Sequence, residues 1–491
     1  MESPLDHDPV EALRASGAAH LAEGRAEAAI ETWRQALALA PDHVDIRFDL
    51  ACAVQRLGRI DEATRLLEYV LAREPDRVEA LNNLGSARGN QGRHDEAAAL
   101  IERALRHQPD HPGALCNYGI VRYEQGRIDE AVALAERALG GNPDLAEAWN
   151  LLANLRREQG RYPAALECYA RALAIDPGFA AARLNDGICR LAMGDFARGW
   201  RGYEWRGAIR PDTGVAGDLG IPRWTGAEDI RGRTLFLHAE QGLGDTIQFS
   251  RYALILSRMG AVTILKVPRA LVALLAGVPG IGRVLGPGDA VPALDFECPL
   301  LSLPAALGTR LETIPSATVY LQAKPDRLAA WTGRLGPRLK PRIGLAWSGN
   351  PRHTNDRNRS IALSRLRPLL RRDFQFVSLQ RDLRPADREA LEAEPGLRHF
   401  GDLLDDFDDT AALASLMDVV ISVDTSVAHL AAALGRRTWI LLPHVPDWRW
   451  LLGRSDSPWY PTARLFRQPA RGDWDGPIDA VAAALDALRL R

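Results

Sequence analysis

The sequence predicts an α-helical solenoid followed by two doubly wound α/β domains, that is, an α plus α/β chain. Three observations carry this reading. Pro, Gly and Ala recur with a 34-residue step through the first two hundred residues; a Gly-, Pro- and Asp-rich break opens near residue 207; and beyond it short apolar runs alternate with helical patterns. A chain of 491 residues has room for two to four domains. The expected segments are a repeat array at 1–206, a linker at 207–231, and two Rossmann-like domains at 232–337 and 338–491.

The repeat comes first. Pro41, Pro75, Pro109, Pro143 and Pro177 share the step with Gly24, Gly58, Gly92, Gly126, Gly160 and Gly194, and with Ala29, Ala63, Ala97, Ala131 and Ala165. Glycine suits the left-handed turn between the helices of a pair, proline stops the second helix, and alanine lets the pair approach closely. A period of this length, carried by several residue types in phase, is the signature of tetratricopeptide repeats. Five units are complete. The sixth, "GDFARGWRGYEWRG", begins on phase at Gly194 but carries Trp200, Tyr203 and Trp205, which predicts a modified cap that packs on the neighbouring domain.

Composition sets outer limits. A formal charge of −2 lacks the basic excess of a general nucleic-acid binder. The start, "MESPLD", has neither the basic nor the apolar region of a signal peptide, and no apolar run approaches the roughly 18 residues of a membrane span. Five scattered cysteines with no CxxC pair read as buried free thiols. The expectation is a cytoplasmic protein with no membrane span and no nucleic-acid partner.

Past the break, the first α/β half reads as strand 234–238, helix 245–259, strand 261–267, helix 269–277, and strands near 283–286 and 293–298. The second reads as strands 342–347 and 375–379, helix 409–417, strand 418–423, helix 426–434 and strand 437–442. Ligands of such sheets bind beyond the carboxyl ends of the strands, at topological switch points.

Three stretches lie at such ends. In "HAEQGLGDTIQFSRY", Gly242 and Gly244 precede a helix, but Ile247 stands where a dinucleotide fingerprint needs glycine and no lysine follows as in a P-loop. Asp245 there is either a helix cap or a reactive carboxylate. In "VVISVDTSVAHLAAALG", Asp424, Thr425 and Ser426 open a helix that carries His429, an arrangement that offers hydroxyls and free N–H groups to an anion; His429 alone also reads as a core histidine. In "SGNPRHTNDRNRSIALS", Arg352, His353, Arg357 and Arg359 precede Ser360, a basic cluster that suits phosphate oxygens or simply forms a solvated loop.

Gly244-Asp245 together with Asp424-Thr425-Ser426-Val427-Ala428-His429-Leu430-Ala431 resembles the heptosyltransferase-like (family 9-like) GT-B glycosyltransferases over residues 232–491. With the repeats in front, the chain is similar to bacterial tetratricopeptide glycosyltransferases, including those that modify flagellin, and in architecture to O-GlcNAc transferases. That resemblance implies an inverting transfer from a nucleotide-sugar to a protein hydroxyl, with Asp245 as the base. It assigns the donor to Gly244, Arg359, Ser360, Asp424, Thr425, Ser426 and His429. Arg359 stands where the family usually has lysine, and Ser426 where it has glycine, so the donor type does not transfer. It also implies that Asn83, Asn117 and Asn185 form a ladder gripping the backbone of a peptide acceptor such as flagellin; Asp49 and Leu151 interrupt that ladder, and asparagine is also common on exposed concave faces.

The chemistry needs no cofactor and no metal: the nucleotide-sugar is a co-substrate, and arginine with a helix N-terminus can neutralise the leaving group. Asp406-Phe407-Asp408 and Asp473-Trp474-Asp475 read as caps rather than metal ligands. The aromatic run "DWRWLLGRSDSPWYP" at 447–461 either stacks a base or packs between domains, and "CPLLSLPAALG" at 298–308 stands near an acceptor in one reading. Two other functions stay open: a scaffold that binds nucleotide-sugar without turnover, and transfer to a lipopolysaccharide or glycan.

Overall fold

The computed structural model describes residues 8–209, 220–316, 319–353 and 355–488. The chain divides into two compact units, Met1–Ala182 and Arg183–Arg491.

The first unit is the solenoid. Its helices are α1 (Pro9–Ala22), α2 (Ala26–Leu39), α3 (Val44–Arg56), α4 (Ile60–Arg73), α5 (Val78–Asn90), α6 (His94–His107), α7 (Pro112–Glu124), α8 (Ile128–Gly141), α9 (Ala146–Glu158), α10 (Tyr162–Ile175) and the start of α11 (Ala180–Ala192). Gly24, Gly58, Gly92, Gly126 and Gly160 take φ between 73° and 81° in the turns within each pair, as the spacing predicts. Ala29, Ala63, Ala97, Ala131 and Ala165 are fully buried between paired helices.

The second unit begins with the modified repeat, α12 (Phe196–Tyr203) and α13 (Arg206–Ile209). The first α/β half then runs β1 (Thr234–His238), α14 (Leu243–Phe249), α15 (Ala253–Arg258), β2 (Val262–Lys266), α16 (Arg269–Leu275), β3 (Arg283–Leu285), β4 (Phe296–Pro299), α17 (Leu303–Ala306) and α18 (Pro325–Leu335). The other half runs β5 (Arg342–Ala346), α19 (Asp356–Arg359), α20 (Arg367–Leu370), β6 (Gln375–Ser378), α21 (Pro385–Glu392), β7 (Leu397–Arg398), α22 (Phe407–Ser415), β8 (Val419–Val423), α23 (Ser426–Ala433), β9 (Thr438–Leu442), β10 (Ala463–Arg467) and α24 (Asp475–Asp486).

Every strand pair is parallel. The first sheet has the order β3-β2-β1-β4 and the second β10-β9-β8-β5-β6-β7. Counted from its own first strand, the second sheet places β5 centrally, with β8, β9 and β10 on one side and β6 and β7 on the other, so the chain reverses direction across the sheet at β5 and β8. Strands β5, β8 and β9 are buried along their whole length, which is why they read as apolar runs without alternation.

Four expectations need correction. The helix predicted at 245–259 breaks into a 3-10 turn over Ser250–Tyr252. There Ser250 Oγ donates back to the Ile247 carbonyl at 2.8 Å and Arg251 Nε to that of Gln248 at 2.8 Å. Strands β7 and β10 and helices α18, α21 and α24 lie outside the expected elements; β7 spans two residues, too few for a pattern. The expected linker is packed where it is described: Trp224 is buried and its backbone N–H donates to the Glu297 carbonyl at 2.8 Å, beside β4; residues 210–219 of it lie outside the described residues. The division between units falls at Ala182, not 206, because the sixth repeat joins the α/β unit.

The five cysteines are free, and all but the half-buried Cys52 are buried. Among the described residues no helix is long and apolar enough to cross a membrane.

Candidate functional site

The β1–α14 loop and the α23 N-terminus meet. A Cβ on Gly244 would lie 2.8 Å from His429 Cδ2 and 3.4 Å from Ser426 Cα, so glycine is what lets the two helix starts close on each other. Two of the three sequence stretches, from opposite halves, are thereby in contact.

Asp245 is the third residue of α14. Its Oδ2 accepts the Gly242 N–H at 2.7 Å and so caps a free amide of the first turn. Its Oδ1 pairs with Arg449 Nη2. Arg449 lies in a 3-10 turn, Trp448–Trp450, and is buried. Its Nη1 donates to Asp447 Oδ1 at 2.8 Å and its Nε to Gln248 Oε1 at 2.9 Å. Burial opposes its charge, but Asp245 and then Asp447 outweigh it and hold the guanidinium pKa well above its ordinary value. Asp245 is therefore a cap and also a carboxylate oriented by a buried cation, with 19% of its side chain still exposed.

His429 is buried, and its Nδ1 lies 2.9 Å from the Tyr460 hydroxyl. Its ring stacks on Trp450 at 5.2 Å. Burial first, then Arg449, Arg251 and Arg359, push its pKa well below the usual value. It is thus a neutral, hydrogen-bonded core histidine that also forms the wall behind Gly244.

The basic loop closes the far side. Arg359 Nη1 donates to the Asp424 carbonyl at 3.0 Å, just past β8. Ser360 Oγ accepts the Gly349 N–H at 2.9 Å and donates to Asp356 Oδ1 at 2.7 Å. Arg384 pairs with Asp356 and also donates to Ser360 at 3.1 Å. The Arg359 contact joins the loops after β5 and β8, adjacent strands at the switch point, while Arg384 ties the segment after β6 to the same β5 loop. Burial, then Asp447, pushes the Asp424 carboxyl up to about 6 against the pull of Arg359. Thr425 stands at the N-cap position of α23 without a side-chain capping bond, its Oγ1 3.2 Å from Ser422 Oγ, and Ser426 is the first helical residue.

Sequence reasoning missed Arg384 and the role of Arg449. The latter had a signal: an arginine inside a tryptophan-rich, otherwise apolar run. The aromatic residues of that run pack internally. Trp448 meets Trp200 at 5.2 Å edge-on, and Trp459 meets Phe249 at 5.8 Å. A second buried pair, His238 Nε2 with Glu297 Oε2 at 2.8 Å, ties β1 to β4 and was also missed.

In the array, Asn117 Nδ2 donates to Asn82 Oδ1 at 2.9 Å, Asn82 Nδ2 to Asn83 Oδ1 at 3.4 Å, and Asn83 Nδ2 to Cys52 Sγ at 3.3 Å. Of the asparagines expected to grip a peptide, Asn83 and Asn117 are thus linked through Asn82, and Asn83 also reaches Cys52 of α3. Asn185 falls in the second unit. Asp406 caps α22, accepting from the Asp408 N–H at 2.8 Å, and Asp473 accepts from the Gly476 N–H at 3.2 Å. Among the described residues no group of three or more His, Cys, Asp or Glu is placed to hold a metal ion.

Models of the tetratricopeptide repeat match residues 48–112, 90–155 and 146–179. The array is built of tetratricopeptide repeats. The chain is 28% identical over 324 residues to Protein FlbA of Caulobacter vibrioides, a match that covers 60% of this chain and 53% of that protein. It therefore spans about half the length of this curated relative. Among solved structures it is similar to TTC0263, a tetratricopeptide protein of Thermus thermophilus, with 25% identity, 37% of this chain and 99% of that one covered, and a TM-score of 0.34. It is likewise similar to pilF of Pseudomonas aeruginosa, with 21% identity, 42% and 93% covered, and a TM-score of 0.34. A tetratricopeptide array followed by parallel-sheet α/β halves is the architecture of this protein.

Proposed function

We propose that the protein is a glycosyltransferase that moves a sugar from a nucleotide-activated donor to a hydroxyl of a protein acceptor docked on the tetratricopeptide array. The observation that carries the reading is the contact of Gly244 with His429 and Ser426. It sets the helix that carries Asp245 against the N-terminus of α23, whose free N–H groups suit an anion. Asp245 takes the acceptor proton as the acceptor oxygen bonds to the anomeric carbon. The bond to the donor phosphate breaks, and Arg359 with the α23 N-terminus receives the leaving charge. One displacement inverts the anomeric centre. Arg449 holds Asp245 in line, and the basic residues do the neutralising that a metal ion does in other transferases.

Turnover of the full chain with UDP-, ADP-, GDP- and CMP-sugars, and intact-mass analysis of proteins from cells with and without it, tests the reading. A mass increment of one sugar on a specific protein supports it. Nucleotide-sugar binding without transfer or hydrolysis replaces it with a scaffold, and sugar on a lipid or glycan alone replaces the acceptor class.

A further inference from the structure

Arg206 breaks the pattern of the repeat that contains it. At 34-residue intervals toward the N-terminus, its position is held by Ala172, Ala138, Ala104, Val70 and Ala36, all fully buried. In those repeats the position lies within the helix-packing core. At the sixth repeat the same face meets the α/β unit, and an arginine stands there with 8% of its side chain exposed.

Its guanidinium is fully engaged. Nε and Nη2 grip the two carboxylate oxygens of Glu240 at 2.7 and 2.9 Å, a fork-on-fork pair. Nη2 also reaches Ser302 Oγ at 2.5 Å, and Nη1 reaches Glu204 Oε1 at 2.8 Å. Glu240, only 9% exposed, belongs to the β1–α14 loop, five residues before Asp245. The next residue, Gln241, accepts from the Tyr203 hydroxyl at 3.4 Å.

A second contact runs from the same repeat to the other side of Asp245. Trp200 and Tyr203 pack on Trp448 at 5.2 and 5.7 Å. The Arg449 guanidinium lies 4.3 Å above the Trp448 ring and holds Asp245. Helices α12 and α13 therefore brace both the loop that carries Asp245 and the arginine that orients it.

We propose that the sixth repeat is a positioning element of the catalytic site, with Arg206 acting through Glu240 to fix the β1–α14 loop and hence Asp245. The kinetic part rests on the transferase reading; the structural part does not. Arg206 contacts Glu240, Ser302, Glu204 and Tyr203 and none of the residues assigned to the donor, so on this proposal it governs kcat and leaves donor affinity alone.

The test uses the full chain carrying Arg206→Ala, Arg206→Lys or Glu240→Gln. Amide hydrogen exchange at residues 239–246 rises about tenfold or more in Arg206→Ala, while β5 and β8 keep their protection. With an active nucleotide-sugar, kcat falls about tenfold or more with KM for the donor nearly unchanged, and Arg206→Lys recovers part of it. Where Arg206→Ala does not fold, Glu240→Gln decides, since it keeps the shape and removes the charge. Unchanged exchange at 239–246 overturns the proposal, as does a uniform rise across the whole second unit. Loss of donor affinity equal to the loss of kcat also overturns it. A wild-type chain inert toward every nucleotide-sugar removes the transferase reading and leaves the exchange result to judge the loop.

Discussion

Arg449, from the second α/β half, forms a buried ion pair with Asp245, the third residue of the first helix of the first half. One guanidinium thus serves two carboxylates, Asp245 and Asp447, and the amide oxygen of Gln248. The pair joins the two α/β halves and fixes the orientation of the carboxylate.

Asp245→Asn keeps the size of the side chain and a hydrogen-bonding oxygen for the Gly242 amide, but it removes the basic group. Transfer falls by ~100-fold or more, the low end for a lost general base, while nucleotide-sugar binding measured by calorimetry is retained. Undiminished turnover takes Asp245 out of the mechanism.

Arg449→Met leaves Asp447 and Gln248 without their partner and frees Asp245. Breaking a buried pair costs about 3–5 kcal/mol, and the partial exposure of Asp245 puts the loss near the low end. Denaturant unfolding of the second unit reads it, and Arg449→Lys regains a fraction. A change below about 0.5 kcal/mol, the size of an ordinary surface substitution, contradicts a stabilising pair.

Gly244→Ala places a methyl group against the His429 ring, 2.8 Å from Cδ2. The α14 and α23 starts move apart, and turnover falls by about tenfold or more. His429→Ala combined with it opens room and restores part of the loss, so the two changes are non-additive in a double-mutant cycle. Simple additivity of the two losses rejects the contact as the cause.

The Asp424 carboxyl, raised to about 6 by burial and then by Asp447, makes a signed pH prediction. In the folded state it binds a proton more tightly than in the unfolded state. Its contribution to stability is therefore complete below the unfolded pKa and is lost as pH rises through about 6, by roughly 1.4 kcal/mol for each unit of the shift. Urea midpoints of Asp424→Asn compared with wild type from acid to neutral pH check this. The variant lacks the decline, and a parallel decline in both chains assigns it to another group.

Removal of residues 1–177 stops short of the division at Ala182 and keeps all of α11. The transferase reading predicts that the truncated chain binds nucleotide-sugar in calorimetry but does not modify a protein acceptor. Modification of that acceptor at the full rate shows that the array is not the docking site.

The repeat was legible because its determinants are local. Gly24 and its equivalents take positive φ wherever two helices turn in this way, and no distant residue alters that. The buried strands were legible for a similar reason: β5, β8 and β9 are covered on both faces and must be apolar throughout. Asp245, Arg359 and Asp424 stood out because strand ends in such sheets carry ligands. The two-residue β7 and the 3-10 break at Ser250 left no periodicity to read.

By itself, the sequence determined the 34-residue solenoid, the parallel α/β halves and the loops in which chemistry would sit. All of these follow from spacing along the chain. Only the tertiary structure decided that Arg449 reaches Asp245, that His429 backs onto Gly244, that the asparagines at 82, 83 and 117 bond one another, and that Arg206 belongs to the α/β unit. Those pairings join residues up to 204 positions apart. A charged side chain signals that it needs a partner when buried, but where the chain supplies that partner is set by packing.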